Sequence, residues 1–227
     1  MSIELLNIDC MEYMSGLPDK AFDLAIVDPP YRDAKDNAPT KHLRAMDGDM
    51  KRWANKPTKE YFQELFRVSK NQIIFGANNF ELPPTNGFVF WYKRQPMKNY
   101  SDGELAWTSF QVVARCFDYA YYGNINVDPD GRTHPSQKPI KLYLWLLDNY
   151  AKPGQRILDT HLGSGSSAIA AHNLGFDFVG MELDADYYAA ACKRFEQHKA
   201  QGSLFVPNTP RDAYEQTDML YSAGHGA

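Results

Sequence analysis

Short apolar runs rich in β-branched and aromatic residues recur along the chain, at residues 3–8 (IELLNI), 22–27 (FDLAIV), 72–76 (QIIFG), 87–92 (GFVFWY), 110–117 (FQVVARCF), 155–158 (QRIL) and 177–181 (DFVGM). Runs of this length and composition read as strands, so seven are expected. Helical spacing lies between several of them. Over 58–69 Tyr61 and Phe62 return one turn later as Leu65 and Phe66, and 139–150 opens on Pro139 and continues as IKLYLWLLDNY. Two more helices are expected, one from Ser166 to Leu174 stopped by Gly175, the other from Asp184, a good N-cap, to about Ala200. Alternating strands and helices imply an α/β fold, Rossmann-like, with a mostly parallel seven-stranded sheet covered by helices on both faces.

Of the 227 residues, 44% are hydrophobic, which is enough for one sizeable core. A single domain is expected over 1–200, with a loosely attached Pro-, Gly- and polar-rich tail at 201–227. The net charge of −4 argues against coating a polyanion by bulk charge, so any such partner must meet a local patch. The best candidate is the irregular stretch 32–57, expected to be mobile, where seven Lys and Arg face four Asp. Cys10, Cys116 and Cys192 form no CxxC pair, so neither a disulfide framework nor a thiolate metal site is expected. With no signal-like start and no apolar run of spanning length, a cytoplasmic protein without membrane contact is expected.

Four apolar runs end in an acid: Asp9, Asp28, Asp159 and Glu182. Ligands of open α/β sheets bind beyond the carboxyl ends of the strands, so these acids are candidates to share one rim. Asp28 opens Asp28-Pro29-Pro30-Tyr31. The two prolines stiffen the exit and remove two N–H donors, leaving the Asp28 carboxylate and the Asp28 and Pro29 carbonyls as an acceptor-rich edge for an amino group, with Tyr31 offering a flat face. A second motif runs from Ile157 through Asp159-Thr160-His161-Leu162-Gly163-Ser164-Gly165-Ser166-Ser167-Ala168, a strand, a glycine loop and a helix start. Glu182 follows at the end of the next run, where a carboxylate can take both hydroxyls of a ribose. This pattern fits any adenosine-containing cofactor, so a nicotinamide-dependent oxidoreductase stays open on these residues alone.

Taken together, DPPY, then THPSQKP at 133–139, LDTHLGSGS and FVGMELD, the chain resembles the β class of S-adenosylmethionine-dependent DNA amino-methyltransferases over roughly residues 3–200. The resemblance implies a methyltransferase fold in permuted order, a catalytic half at 1–132 ahead of a cofactor half at 133–200. It makes Asp28, Pro29, Pro30 and Tyr31 the catalytic motif and Gly163, Ser164 and Gly165 the loop beside the methionine part of S-adenosyl-L-methionine. Glu182 becomes the ribose ligand, Asp9 a contact near the adenine, and His134, Ser136 and Lys138 part of the segment flanking the methionine moiety, with Asp159 and His161 in the same cofactor set. His161 stands where the family usually has phenylalanine, and it either substitutes in packing or makes a polar contact with the cofactor. The region from about Cys116 to Arg132 is short where members with strict specificity carry a long recognition insertion.

The activity so implied is methylation of the N6 amino group of a flipped adenine in DNA. Alternatives on the same fold are cytosine N4 or an RNA base, and a binding module without turnover. DNA phosphates would be met by Arg32, Lys41, Arg44, Lys51 and Arg52 in the basic loop, together with Lys93 and Arg94. Trp91 and the aromatics at 117–122 are assigned to packing. The tail begins Gln201-Gly202-Ser203-Leu204-Phe205, which is similar to the peptide by which bacterial replication proteins dock on the sliding clamp, with Gln201, Leu204 and Phe205 as anchors. A homodimer is compatible with the family.

Overall fold

The computed structural model describes residues 1–31, 55–98, 100–126, 131 and 133–201. The elements in chain order are β1 (Ile3–Leu6), α1 (Cys10–Ser15), β2 (Phe22–Val27), α2 (Lys59–Val68), β3 (Ser69–Phe75), β4 (Phe88–Tyr92), β5 (Gly103–Thr108), β6 (Arg115–Asp118), α3 (Ile140–Tyr150), β7 (Arg156–Asp159), α4 (Ser166–Asn173), β8 (Asp177–Met181) and α5 (Ala185–Ala200). A short 3-10 turn, Ala77–Asn79, follows β3.

The strands form one sheet in the order β1-β8-β7-β2-β3-β5-β4-β6. Every pairing is parallel except those of β5, which runs against both β3 and β4. Among the described residues the sheet thus has eight strands where the apolar runs predict seven. β5, with the sequence GELAWT, was not expected, because its Gly, Glu and Ala are poor strand formers in isolation. Pairing on both edges makes it a strand. The expected strand at 110–117 is ordered as β6 only from Arg115; before it Phe110 packs on Tyr150, with ring centroids 5.2 Å apart, and Val113 is exposed.

Alternation along β2 shows why helices cover both faces. Leu24 and Ile26 join the core under α3, α4 and α5, while Ala25 and Val27 point to α1 and α2. On α2 the apolar stripe Tyr61, Phe62, Leu65 and Val68 is buried, as its spacing requires. Asp9 caps α1 by accepting from the Met11 amide at 2.7 Å, and Asp184 caps α5 by accepting from Asp186 and Tyr187. β1, although first in the chain, pairs with β8, so residues 3–6 sit beside β8 rather than beside β2. Among the described residues no helix is long and apolar enough to cross a membrane.

β2 is the switch point of the sheet: from it the chain crosses to β3 on one side, and β7 and β8 lie on the other. A crevice at the carboxyl ends of β2 and β7 follows from this topology.

Candidate active site

Beyond those strand ends lies a cavity of about 750 Å³, walled by Asp28, Pro29, Pro30 and Tyr31 on one side and by Gly163, Ser164 and Glu182 on the other. Asp9, His134, Ser136, Lys138 and His161 also line it. The two motifs, far apart in sequence, therefore face a single space.

At the DPPY end the polar groups are tied together. The Tyr31 hydroxyl donates to Asp28 Oδ1 at 2.6 Å, and Lys138 Nζ donates to Asp28 Oδ2. Lys138 Nζ also pairs with Glu104 Oε2 at 2.9 Å and lies 4.7 Å from the centroid of the Phe75 ring. Glu104 Oε2 is 3.2 Å from the Tyr31 hydroxyl, and its Oε1 accepts from Lys93 Nζ. Burial raises Asp28, and Lys138 only partly offsets this. Burial would raise Glu104 as well, but Lys138 and Lys93 together outweigh it and hold its carboxyl at about 2. Lys138 stays protonated, because its two carboxylates overcome the burial that would lower it. Tyr31 is neutral, its phenol pushed well up by burial and by Asp28. Its ring rests on Gly76, which has φ +73°. A Cβ there would come within 2.2 Å of Tyr31 Cε1.

The opposite end is shaped by backbone and by neutral rings. Gly163, at φ +53°, donates its amide to Glu182 Oε2 at 2.9 Å, while Glu182 Oε1 accepts from the Asp184 amide at 3.0 Å. The His134 ring covers Gly163, stands edge-on to Tyr187 at 4.4 Å, and its Nδ1 is 3.0 Å from Ser136 Oγ. Burial lowers both His134 and His161 to about 4, so neither carries charge at neutral pH. His161 Nδ1 lies 2.9 Å from Thr160 Oγ1, which is 2.6 Å from the Tyr61 hydroxyl, and the Tyr61 ring meets His161 edge-on. A carboxylate with lone pairs left over, a close-approach glycine loop and uncharged rings suit a nucleoside bearing a vicinal diol.

Asp159 and Gly165 lie off the cavity wall, and other expected residues lie on it with partners the sequence does not show. Asp159 is 1% exposed and lies behind the cavity wall, where its carboxylate accepts from Ser167 Oγ at 2.6 Å and the His161 amide at 3.0 Å. It shapes the glycine loop from below. Gly165 turns the chain into α4 at φ +77° and faces Ala191, not the cavity. Lys138, expected in the segment flanking the methionine moiety, lines the cavity and is bound there to Asp28 and Glu104. Lys93, expected on a phosphate-facing stripe, is turned inward to Glu104, whereas Arg94 is exposed and pairs with Asp118. Trp91 is buried as expected, with its indole N–H donating to the Tyr119 carbonyl at 2.9 Å, yet it also walls the cavity. Arg32, Lys41, Arg44, Lys51, Arg52, Leu204 and Phe205 fall outside the described residues, and Gln201 is exposed at the end of α5.

Glu104 was missed. Its reversed strand starts at the rim where the parallel strands end, and no local motif marks that strand. The one available signal was an acid at the head of an apolar stretch, LAW.

A family model described as DNA methylase matches residues 22–193. In sequence the chain is 25% identical over 239 residues to YubD of Escherichia coli (strain K12), covering 88% of this chain and 96% of that protein. Among solved structures, the PvuII DNA methyltransferase, described as cytosine-N4-specific, superposes with a TM-score of 0.59 at 12% identity over 98% of this chain and 93% of its own. The M1.HpyAVI–SAM complex gives 0.55 at 21% identity, over 85% and 99% respectively. These two likenesses establish the fold.

Proposed function

The chain belongs to the DNA methylase family, and from that premise we propose that it transfers a methyl group from S-adenosyl-L-methionine to the exocyclic N6 of an adenine in DNA. The reading rests above all on one observation: Asp28-Pro29-Pro30-Tyr31 at the end of β2 faces the same cavity as the Gly163 loop and Glu182. When bound, the cofactor supplies an activated methyl group. The chain therefore has to position two partners and receive protons, and it needs no nucleophile of its own.

Glu182, Gly163 and His161 would hold the cofactor at the β7–β8 end, with Asp9, Ser164, His134 and Ser136 completing that wall. Stacking hides N6 in a duplex, so the target base must swing out, at a cost of a few kcal/mol. The amino lone pair of adenine is delocalised into the ring. Acceptors on both N6 hydrogens favour a pyramidal nitrogen and match the positive charge that grows there during attack. Asp28 can serve because each of its oxygens keeps a lone pair beyond the one used by Tyr31 or Lys138. Among the described residues nothing donates to the Pro29 carbonyl, which leaves it as the second acceptor. Tyr31, locked by its hydrogen bond to Asp28 and by contact with Gly76, is held in place on the cavity wall beside the base.

Aspartate at the head of the motif favours adenine within the family pattern, whereas a cytosine amino group would meet the same acceptors. Incubation with unmethylated DNA and methyl-labelled cofactor, followed by digestion to nucleosides, tests the choice. Labelled N6-methyladenine is expected, and N4-methylcytosine in its place would overturn it.

A further inference from the structure

Asp28 does not face the cavity alone. Glu104 reaches the same two groups that hold Asp28: Oε2 lies 2.9 Å from Lys138 Nζ and 3.2 Å from the Tyr31 hydroxyl, while Oε1 is bound to Lys93. It arrives there because β5 is, among the described residues, the one reversed strand, so its first residues lie at the rim where its neighbours end. Two carboxylates and two ammonium groups thus alternate along a partly buried row, Asp28, Lys138, Glu104, Lys93, with the Tyr31 hydroxyl touching the first three.

We propose that Glu104 is a positioning residue that shares Lys138 and Tyr31 with Asp28 and thereby sets how strongly Asp28 can accept hydrogen bonds from the substrate amino group. The inference rests on the proposed role of Asp28 and adds to it. Were Lys138 paired with Asp28 only, its full charge would fall on one carboxylate, draw that electron density to the ammonium and leave a poor acceptor for an incoming N–H. Glu104 divides the lysine. Lys93 in turn keeps Glu104 ionised in a site with little solvent, so the row stays neutral as a whole and Asp28 retains a charge it can offer. The shape is held by apolar neighbours: Phe75 beneath Lys138 and Trp91 beneath Lys93, the latter ring 4.8 Å from the ammonium.

Besides this row, the ionisable groups that act on Asp28 or Glu104 among the described residues are Tyr143 on α3, Tyr61 on α2 and Asp159 at the end of β7. Both tyrosines are neutral, burial having pushed their phenols well up. Glu104 is then the main negative charge acting on Asp28 across a short gap, and it disfavours the ionised form of Asp28. Removing that charge must move Asp28 towards acid.

The test is Glu104→Gln, read in two ways. Carbon-13 NMR of labelled aspartate carboxyls, with the Asp28 signal assigned by its loss in Asp28→Asn, gives the Asp28 midpoint in the resting protein. A pH profile of kcat/KM gives the acid limb of turnover. Both should move to lower pH by roughly one unit, the effect of one like charge removed at close range, and kcat should fall about tenfold. Lys93→Met should move the Asp28 midpoint the other way, since Glu104 then draws harder on Lys138, and this arm stands if Glu104→Gln fails to fold. An unmoved midpoint, or lower kcat with the acid limb in place, would reduce Glu104 to a structural group and overturn the proposal. The carboxyl titration needs no substrate. A wrong methylated base, or no transfer, would therefore defeat the proposed function without altering this result, and an unmoved midpoint would defeat only the role of Glu104.

Discussion

Gly76→Ala would test the placement of Tyr31 without substituting a residue of the cavity lining. Two costs follow from the geometry. A φ of +73° is strained for alanine, at about 1–2 kcal/mol. The new Cβ would fall 2.2 Å from Tyr31 Cε1 and 2.4 Å from Cδ1, well inside van der Waals contact, so the ring must move by about 1 Å or more; such overpacking costs about 1–3 kcal/mol. Together these predict about 2–5 kcal/mol of lost stability, or roughly 5–15 °C in Tm for a chain of this size. The displaced ring carries its hydroxyl off Asp28 Oδ1, now 2.6 Å away, and a shift of that size at a reacting centre lowers kcat about 100-fold. Gly154→Ala separates the two costs: Gly154 has φ +81° and no atom within 4 Å of the place a Cβ would take, so it should lose only the backbone cost and keep its kcat. Thermal denaturation and labelled-methyl transfer read both variants. A Gly76→Ala enzyme that turns over within twofold of the parent and melts no lower than Gly154→Ala would refute the reasoning.

Asp28→Ala should abolish transfer while S-adenosylhomocysteine still binds within a few-fold, by calorimetry; retained turnover would remove Asp28 from the chemistry. Glu182→Gln should weaken that same binding about tenfold or more, because a charge-assisted bond to the ligand is lost, with kcat at saturation little changed. Asp159 is an acid raised to about 7 by burial, against an ordinary value near 3.8, so its neutral form is favoured in the fold. Its contribution is therefore fully present below about pH 4 and is lost as pH rises to 7, by roughly 3–5 kcal/mol in all. Asp159→Asn, which keeps an acceptor and cannot ionise, should flatten this slope in urea titrations, and an unchanged slope would place the titration on another group.

The strands and helices with strong periodicity could be read from the chain, as could both site motifs. Val27 followed by Asp28-Pro29-Pro30 dictates a stiff strand exit, and Leu158-Asp159 followed by a glycine loop dictates a strand-to-helix turn, because proline and glycine act on the backbone where they stand. Asp159 shows where such reading stops. Its place in the motif is that of a ligand contact, but its carboxylate turns inward to Ser167 and the His161 amide, and only packing decides which way a strand-end side chain faces.

Local chemistry thus fixed the elements, the two motifs and the kind of ligand each suits, since these depend on neighbours within a few residues. Tertiary structure decided what meets what. Lys138 is bonded to Asp28, 110 residues away, and β5, a weak strand former, becomes a strand only between β3 and β4. Its reversal then sets Glu104 between two lysines from other elements. Charges taken out of water must find partners wherever the fold brings them, and that search is conducted in space, with no trace in the spacing of residues along the chain.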